Sequence, residues 1–138
     1  MGQMHGERDL RVLLRSMRPE LHEGRYVFTT VPGAAPEGAA PVVTIAEPEG
    51  LTLVVRQEDA DRTGLGYAYV AGWITLRVHS SLDAVGLTAA VAAELAAAGL
   101  SCNVVAGYFH DHLFVPYDAA DEALRLLAAL AERAEADD

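Results

Sequence analysis

The sequence predicts an α+β fold made of two ferredoxin-like units, with antiparallel sheets and helices packed on one face. Two observations carry this. The second half of the chain runs strand, helix, strand, strand, helix, the split β-α-β order of a ferredoxin-like unit short of its last strand. The first half runs helix, three strands, a short helical turn and an edge strand. Neither half holds a full set of elements, so the reading is of interlocked halves with units at 1–70 and 71–138.

The elements of the first half follow from local pattern. Leu10, Leu13, Leu14 and Met17 fall at helical spacing over residues 8–17, and Pro19 stops the helix. Arg25 to Val31 alternates and is rich in β-formers, which predicts a strand. Residues 32–41 hold three prolines and no periodicity, which marks a loop. Val42–Ala46 and Leu51–Val55 are two strand-like runs, and the Glu47-Pro-Glu-Gly50 segment between them makes a hairpin. Glu58–Arg62 is one helical turn, and Tyr67–Val70 is an extended edge.

The second half reads more clearly. Trp73–His79 alternates as a strand. Ser80 or Ser81 can cap the helix that follows, with Asp83 in its first turn, and the helix stops at Gly99. Ala84, Leu87, Thr88, Val91, Leu95 and Ala98 form its core face. Its back carries Ala89, Ala90, Ala93, Ala96 and Ala97, with Val85 and Gly86 at its start, where a solvated helix carries charges. We therefore expect that back to be covered by the other half or by another subunit. Leu100–Gly107 and Leu113–Pro116 are strands joined by the polar tip Tyr108-Phe-His-Asp-His112. Asp118 caps a last helix that ends in a frayed acidic tail.

Composition restricts the functional class. A chain of 138 residues buries about two-thirds of its unfolded surface and needs no disulfide or metal to fold. One cysteine, Cys102, excludes an internal disulfide framework and a four-cysteine zinc site. The net charge is -10 and every basic residue is arginine, so no basic stripe exists for nucleic acid or anionic lipid. No apolar run approaches the ~18 residues of a membrane span, and the N-terminus lacks an apolar signal core. The expectation is a soluble cytoplasmic protein.

The segment from His79 to Gly107 resembles an ACT domain. It has the strand, the Asp83-Ala-Val-Gly86 loop opening a helix, the Ala-Gly-Leu-Ser helix end and the small-residue strand of that family. The block from Trp73 to Pro116, with Glu49-Gly-Leu-Thr-Leu-Val-Val55 before it, is similar to small bacterial proteins with two ACT-like units. The likeness is weaker in the first half, where the Asp-x-x-Gly loop is absent. The resemblance implies a regulatory module that binds an amino acid or similar metabolite, often between paired domains. It implies a ligand site at Ser80, Ser81, Asp83, Val85 and Gly86, with Asn103 and Asp111, and a homodimer.

Physical chemistry supports part of this site. A helix N-terminus offers free N–H groups and partial positive charge to a carboxylate. Gly86 allows close approach, Ser80 and Ser81 add hydroxyl donors, and Asp111 can face an ammonium group. The same residues also have plain structural roles, as helix caps, a packing glycine and a turn aspartate. His110 and His112 could share one face of a strand, yet no third ligand stands nearby in sequence, so no metal is expected. His5 and His22 have no partner motif and read as solvated.

No nucleophile elbow, phosphate loop or dinucleotide fingerprint occurs, and Cys102 alternates onto a core face. The expectation is a cofactor-free, non-catalytic small-molecule sensor. The alternatives are a ligand-free protein–protein interaction module and, further off, a small enzyme using the His110-Asp111-His112 tip.

Overall fold

The structure, a computed structural model, describes Gly6 and residues 9–136. His5, read as solvated, lies outside the described residues, as do the last two residues of the acidic tail. Eleven segments are regular: α1 (Leu10–Arg15), β1 (Pro19–Leu21), β2 (Tyr26–Val31), β3 (Val43–Glu47), β4 (Gly50–Arg56), α2 (Gln57–Thr63), β5 (Val70–Leu76), α3 (Leu87–Ala97), β6 (Asn103–Ala106), β7 (Asp111–Pro116) and α4 (Ala120–Ala136).

The strands form one antiparallel sheet in the order β3-β4-β2-β5-β7-β6, with β1 also on β5. Two ferredoxin-like units overlap in this sheet, and β5 belongs to both. Its first residues, Val70 and Ala71, pair with β2 and close the first unit. Its last three, Ile74 to Leu76, pair with β1 and open the second. The second unit's missing last strand is thus supplied by β1 from the start of the chain. In the first unit the proline-rich loop between β2 and β3 stands where that unit's first helix would be. The expectation of interlocked halves rested on these two gaps.

Cross-strand partners point to the same side of a sheet, so the registers define its faces. Val27 lies opposite Val55 and Val70, and Val70 alternates with Gly72, Ile74 and Leu76. On that side, α2 brings Ala60 against Val27, Leu53 and Val55. On the same side Leu13 and Met17 of the first helical segment, Leu87, Val91 and Leu95 of α3, and Leu127 of α4 cover Ile74, Leu113 and Val115. All helices therefore lie on one face, as expected. The other face carries Tyr26, Phe28, Trp73 and Phe114. Phe28 and Phe114 meet edge to face at 5.3 Å although β5 runs between their strands. The small Ala71 on β5 leaves them room.

Several local expectations are corrected. The strand expected over Trp73–His79 runs over Val70–Leu76, because β1 and β7 end their pairing at Leu76. Strand β1 itself has no pattern in three residues. The helix α3 begins at Leu87, and neither Ser80 nor Ser81 caps it: Gly86 is its N-cap, in the left-handed region at φ +103°. Asp118 sits inside a 3-10 turn, Tyr117–Ala119, that leads into α4, and α4 itself begins at Ala120. The helix α4 continues through Ala136 into the segment expected to fray. Ala89, Ala93, Ala96 and Ala97 are exposed and only Ala90 is half-buried, so the other half of the chain leaves most of the alanine back of α3 uncovered. His22 is half-buried and stacked on Trp73, not solvated.

Candidate ligand cleft

The stretch between β5 and α3 cannot continue as strand, because Arg77 N–H and Val78 N–H both turn to the Met17 carbonyl. Beyond it the chain makes a turn in which Ala84 N–H donates to Ser81 O at 3.0 Å. The Ser81 hydroxyl donates to the Asp83 carboxylate. The turn delivers Gly86 to the start of α3, and Ala90 N–H is bonded to Gly86 O. By helix geometry the N–H groups of the first turn, before Ala90, have no acceptor within the helix.

Opposite this helix start stands Asp111. It is paired in register with Leu76 and Ala106, and it shares its face with Leu113 and Val115, the helix side of the sheet. A cleft of about 120 Å³ separates the two, lined among others by Ser80, Ser81, Gly86, Thr88, Ala106 and Asp111. Burial pushes the Asp111 carboxyl above the usual carboxylate range, and the neighbouring His110 partly opposes this. The cleft therefore has a donor-rich end at α3 and an acceptor at Asp111.

The expected site residues divide accordingly. Ser80, Ser81, Gly86 and Asp111 converge on the cleft. Asp83 is exposed beside Ser81, and Val85 is 82% exposed on the outer side of the turn. Asn103 is an exposed residue of β6 opposite Phe114, on the helix-free face. Thr88, expected on the core face of α3, is exposed and lines the cleft with Ala106, and neither was expected in the site. The signal for Thr88 was a hydroxyl in the first turn of an otherwise alanine-rich helix.

The polar tip does not act as one group. Asp111 faces the helices, whereas His112 shares the opposite face with Phe114. His110 Nδ1 lies 3.4 Å from the Val78 carbonyl. Cys102 packs half-buried against the main core, and burial raises its thiol pKa. Among the described residues, no three His, Cys, Asp or Glu side chains gather into a metal-binding group. No helix among them is long and apolar enough to cross a membrane.

Overlapping split β-α-β units that share one antiparallel sheet define the class of ferredoxin-like α+β folds. Family models for the ACT domain match residues 5–72 and 69–129. The chain belongs to the ACT domain family. Among solved structures it is similar to a Vibrio cholerae protein of unknown function described as a possible transport protein. That likeness has 51% identity and a TM-score of 0.80, and covers 88% of this chain and 95% of the other. A protein from Agrobacterium tumefaciens is similar at 20% identity and TM-score 0.65, over 82% of this chain and 87% of that one. The regulatory subunit of aspartate kinase from Thermus thermophilus shares the fold at 10% identity and TM-score 0.61, over 83% and 97%. Among curated proteins, none matches the chain.

Proposed function

We propose that this protein is a non-catalytic sensor that binds an amino acid or similar small zwitterion in the cleft between α3 and Asp111. The observation that carries the reading is the facing of opposite polarities. The N–H groups and dipole of α3 suit a carboxylate, and Asp111 suits an ammonium group. Ser80, Ser81 and Thr88 supply hydroxyls between them.

Size refines the proposal. The cleft encloses about 120 Å³. That suits the zwitterionic end of an amino acid and falls short of the roughly 300–1,000 Å³ of a pocket for a whole larger ligand. The ligand's side chain would then protrude, and Leu82, Val85, Tyr108 and Phe109 stand exposed on the adjacent turn and hairpin tip. A second copy seated on this rim, in a cytoplasmic homodimer, would enclose it. The ACT family's regulatory character and the Thermus regulatory subunit's shared fold support a role exerted through a partner or the oligomer.

The test is a thermal-shift screen against the amino acids, followed by calorimetric titration. A ligand at ~100 times its dissociation constant adds about 2.7 kcal/mol of stability. Stabilisation by one amino acid, weakened in Asp111→Asn, supports the reading. No stabilisation by any of them at millimolar concentration defeats it and leaves the ligand-free interaction module.

A further inference from the structure

A polar cluster is set among the aromatics of the helix-free face. Thr75 is 1% exposed, the buried polar side chain of that face. Its hydroxyl oxygen lies 2.7 Å from His22 Nε2 and 3.0 Å from His112 Nδ1. Trp73 Nε1 lies 3.2 Å from the same His112 Nδ1. An indole N–H can only donate, so His112 Nδ1 must hold a lone pair and no proton. The Thr75 hydroxyl then donates to Nδ1 as well, and its oxygen accepts the Nε2–H of His22. The indole fixes the direction of every bond in the chain.

The cluster ties three strands together. His22 directly follows β1, Trp73 and Thr75 belong to β5, and His112 belongs to β7. The His22 ring stacks on the Trp73 indole at 3.6 Å, and its backbone N–H donates to the Trp73 carbonyl at 2.9 Å. Strand β1 is only three residues long and begins with a proline, which has no N–H to give. The His22 contact adds to the Glu20–Arg77 ion pair and to the Arg77 N–H bond to the Met17 carbonyl in holding β1 to β5.

A proton on His112 Nδ1 would set N–H against N–H and leave the indole without an acceptor. A buried donor without a partner is costly. The charged surroundings act in the same sense at His112. Arg77 at the end of β5, His110 at the hairpin tip and His22 all disfavour a cation there. Glu20 of β1 is the opposing carboxylate at His22, where Arg77 and Arg56 act against it, and Glu20 is itself bonded to Arg77 Nε at 2.7 Å. From β6 the facing residues are the uncharged Asn103 and Val105, and Asp111 points to the other side of the sheet. Burial is the largest cause lowering both imidazoles below their ordinary value.

We propose that His112, Thr75, Trp73 and His22 form a proton-sensitive clasp that fastens β1 to the sheet and opens when His112 is protonated. Strand β1 follows closely on α1, whose Leu10 packs on Gly86 at the start of α3. The clasp would thus couple mild acidification to the turn that shapes the cleft.

The test uses the full chain without any ligand, so its outcome is independent of the amino-acid reading. Hydrogen exchange, corrected for the intrinsic pH dependence, is compared at about pH 7.5 and about pH 5.5. Protection of residues 20–22 should fall about tenfold relative to β4 for each unit of pKa displacement that acid releases. In a His22→Gln/His112→Asn double variant, Gln keeps the Nε2 donor and Asn keeps an acceptor near Nδ1, so the pH effect should vanish. Equal loss in both proteins, or no loss in the native one, overturns the clasp. A second readout on the native chain needs no variant: the sole tryptophan gives one indole N–H resonance. That resonance should shift together with the titration of the His112 ring, below its ordinary value. An indole signal that stays still while His112 titrates also overturns it.

Discussion

Leu10 of α1 packs directly on Gly86, the residue that starts α3. A Cβ built on Gly86 would lie 3.1 Å from Leu10 Cδ2, tighter than ordinary contact. The two residues are far apart in sequence, yet they join the first helix of the chain to the turn beside the cleft. Gly86 thus serves packing and backbone conformation at once, whatever the cleft binds.

Gly86→Ala should therefore destabilise the protein by about 1–2 kcal/mol, the cost of holding an L-residue in the left-handed region. Adding Leu10→Ala relieves the contact but not the backbone strain, so most of the loss should persist in the double variant. Thermal melts of the three proteins check this. Full recovery in the double variant would show that crowding, not φ, is what the glycine avoids.

Gly72 tests the junction between β5 and α4. In the middle of a shared strand a glycine weakens pairing, and its reason is close approach. A Cβ there would stand 2.8 Å from the Ala120 Cβ at the start of α4. Gly72→Ala should cost about 1–3 kcal/mol by overpacking. Denaturant unfolding measures it, and Ala120→Gly in the same chain should restore part of the loss.

How much of this was legible in the sequence depends on whether local pattern or a distant partner set each feature. The hairpin from Val43 to Arg56 and the buried Leu87, Val91 and Leu95 of α3 follow from period and turn chemistry and stand where expected, whereas Thr88 and Ala98, expected beside them, are exposed. Strand β5 was displaced because its end is set by where β1 and β7 stop pairing. Alternation itself runs on through Arg77 and Val78. Strand β1 was missed because three residues carry no period and its partner lies over fifty positions away. Of the cleft, Ser80, Ser81, Gly86 and Asp111 were expected from the resemblance of the loop and hairpin to an ACT domain. Asn103 follows Cys102, so strand alternation by itself turns it away from the core face and from the cleft. The Thr75 bridge between His22 and His112 joins three segments of sequence and has no local signature.

The alanine back of α3 gives a prediction about assembly. Ala89, Ala93 and Ala97 are exposed in the single chain, so Ala93→Glu should change the stability of a dilute monomer by no more than about 0.5 kcal/mol. If a second copy covers this face, the same variant should lower the association state at higher concentration. Sedimentation velocity with melting at matched dilution separates the two effects. Unchanged sedimentation would exclude α3 from the interface.

Asp111 links stability and binding with opposite signs. Burial raises its carboxyl pKa above the ordinary 3.8, so the folded state holds this proton more tightly than the unfolded chain does. Stability from this group is present below pH 3.8 and is lost as the pH rises through that value to the folded one. At neutral pH the native protein thus bears the full cost of a desolvated carboxylate. Asp111→Asn cannot ionise, so it should melt higher than the native protein at neutral pH, with the gap closing on acidification. The same variant should bind a cationic or zwitterionic ligand about tenfold to a hundredfold more weakly, the usual effect of losing a charged hydrogen bond. Melting curves across pH, paired with calorimetric titration, read both effects in one pair of proteins. A variant that melts lower at neutral pH would mean that the carboxylate holds the β6–β7 hairpin together, and its place in the cleft would then be structural.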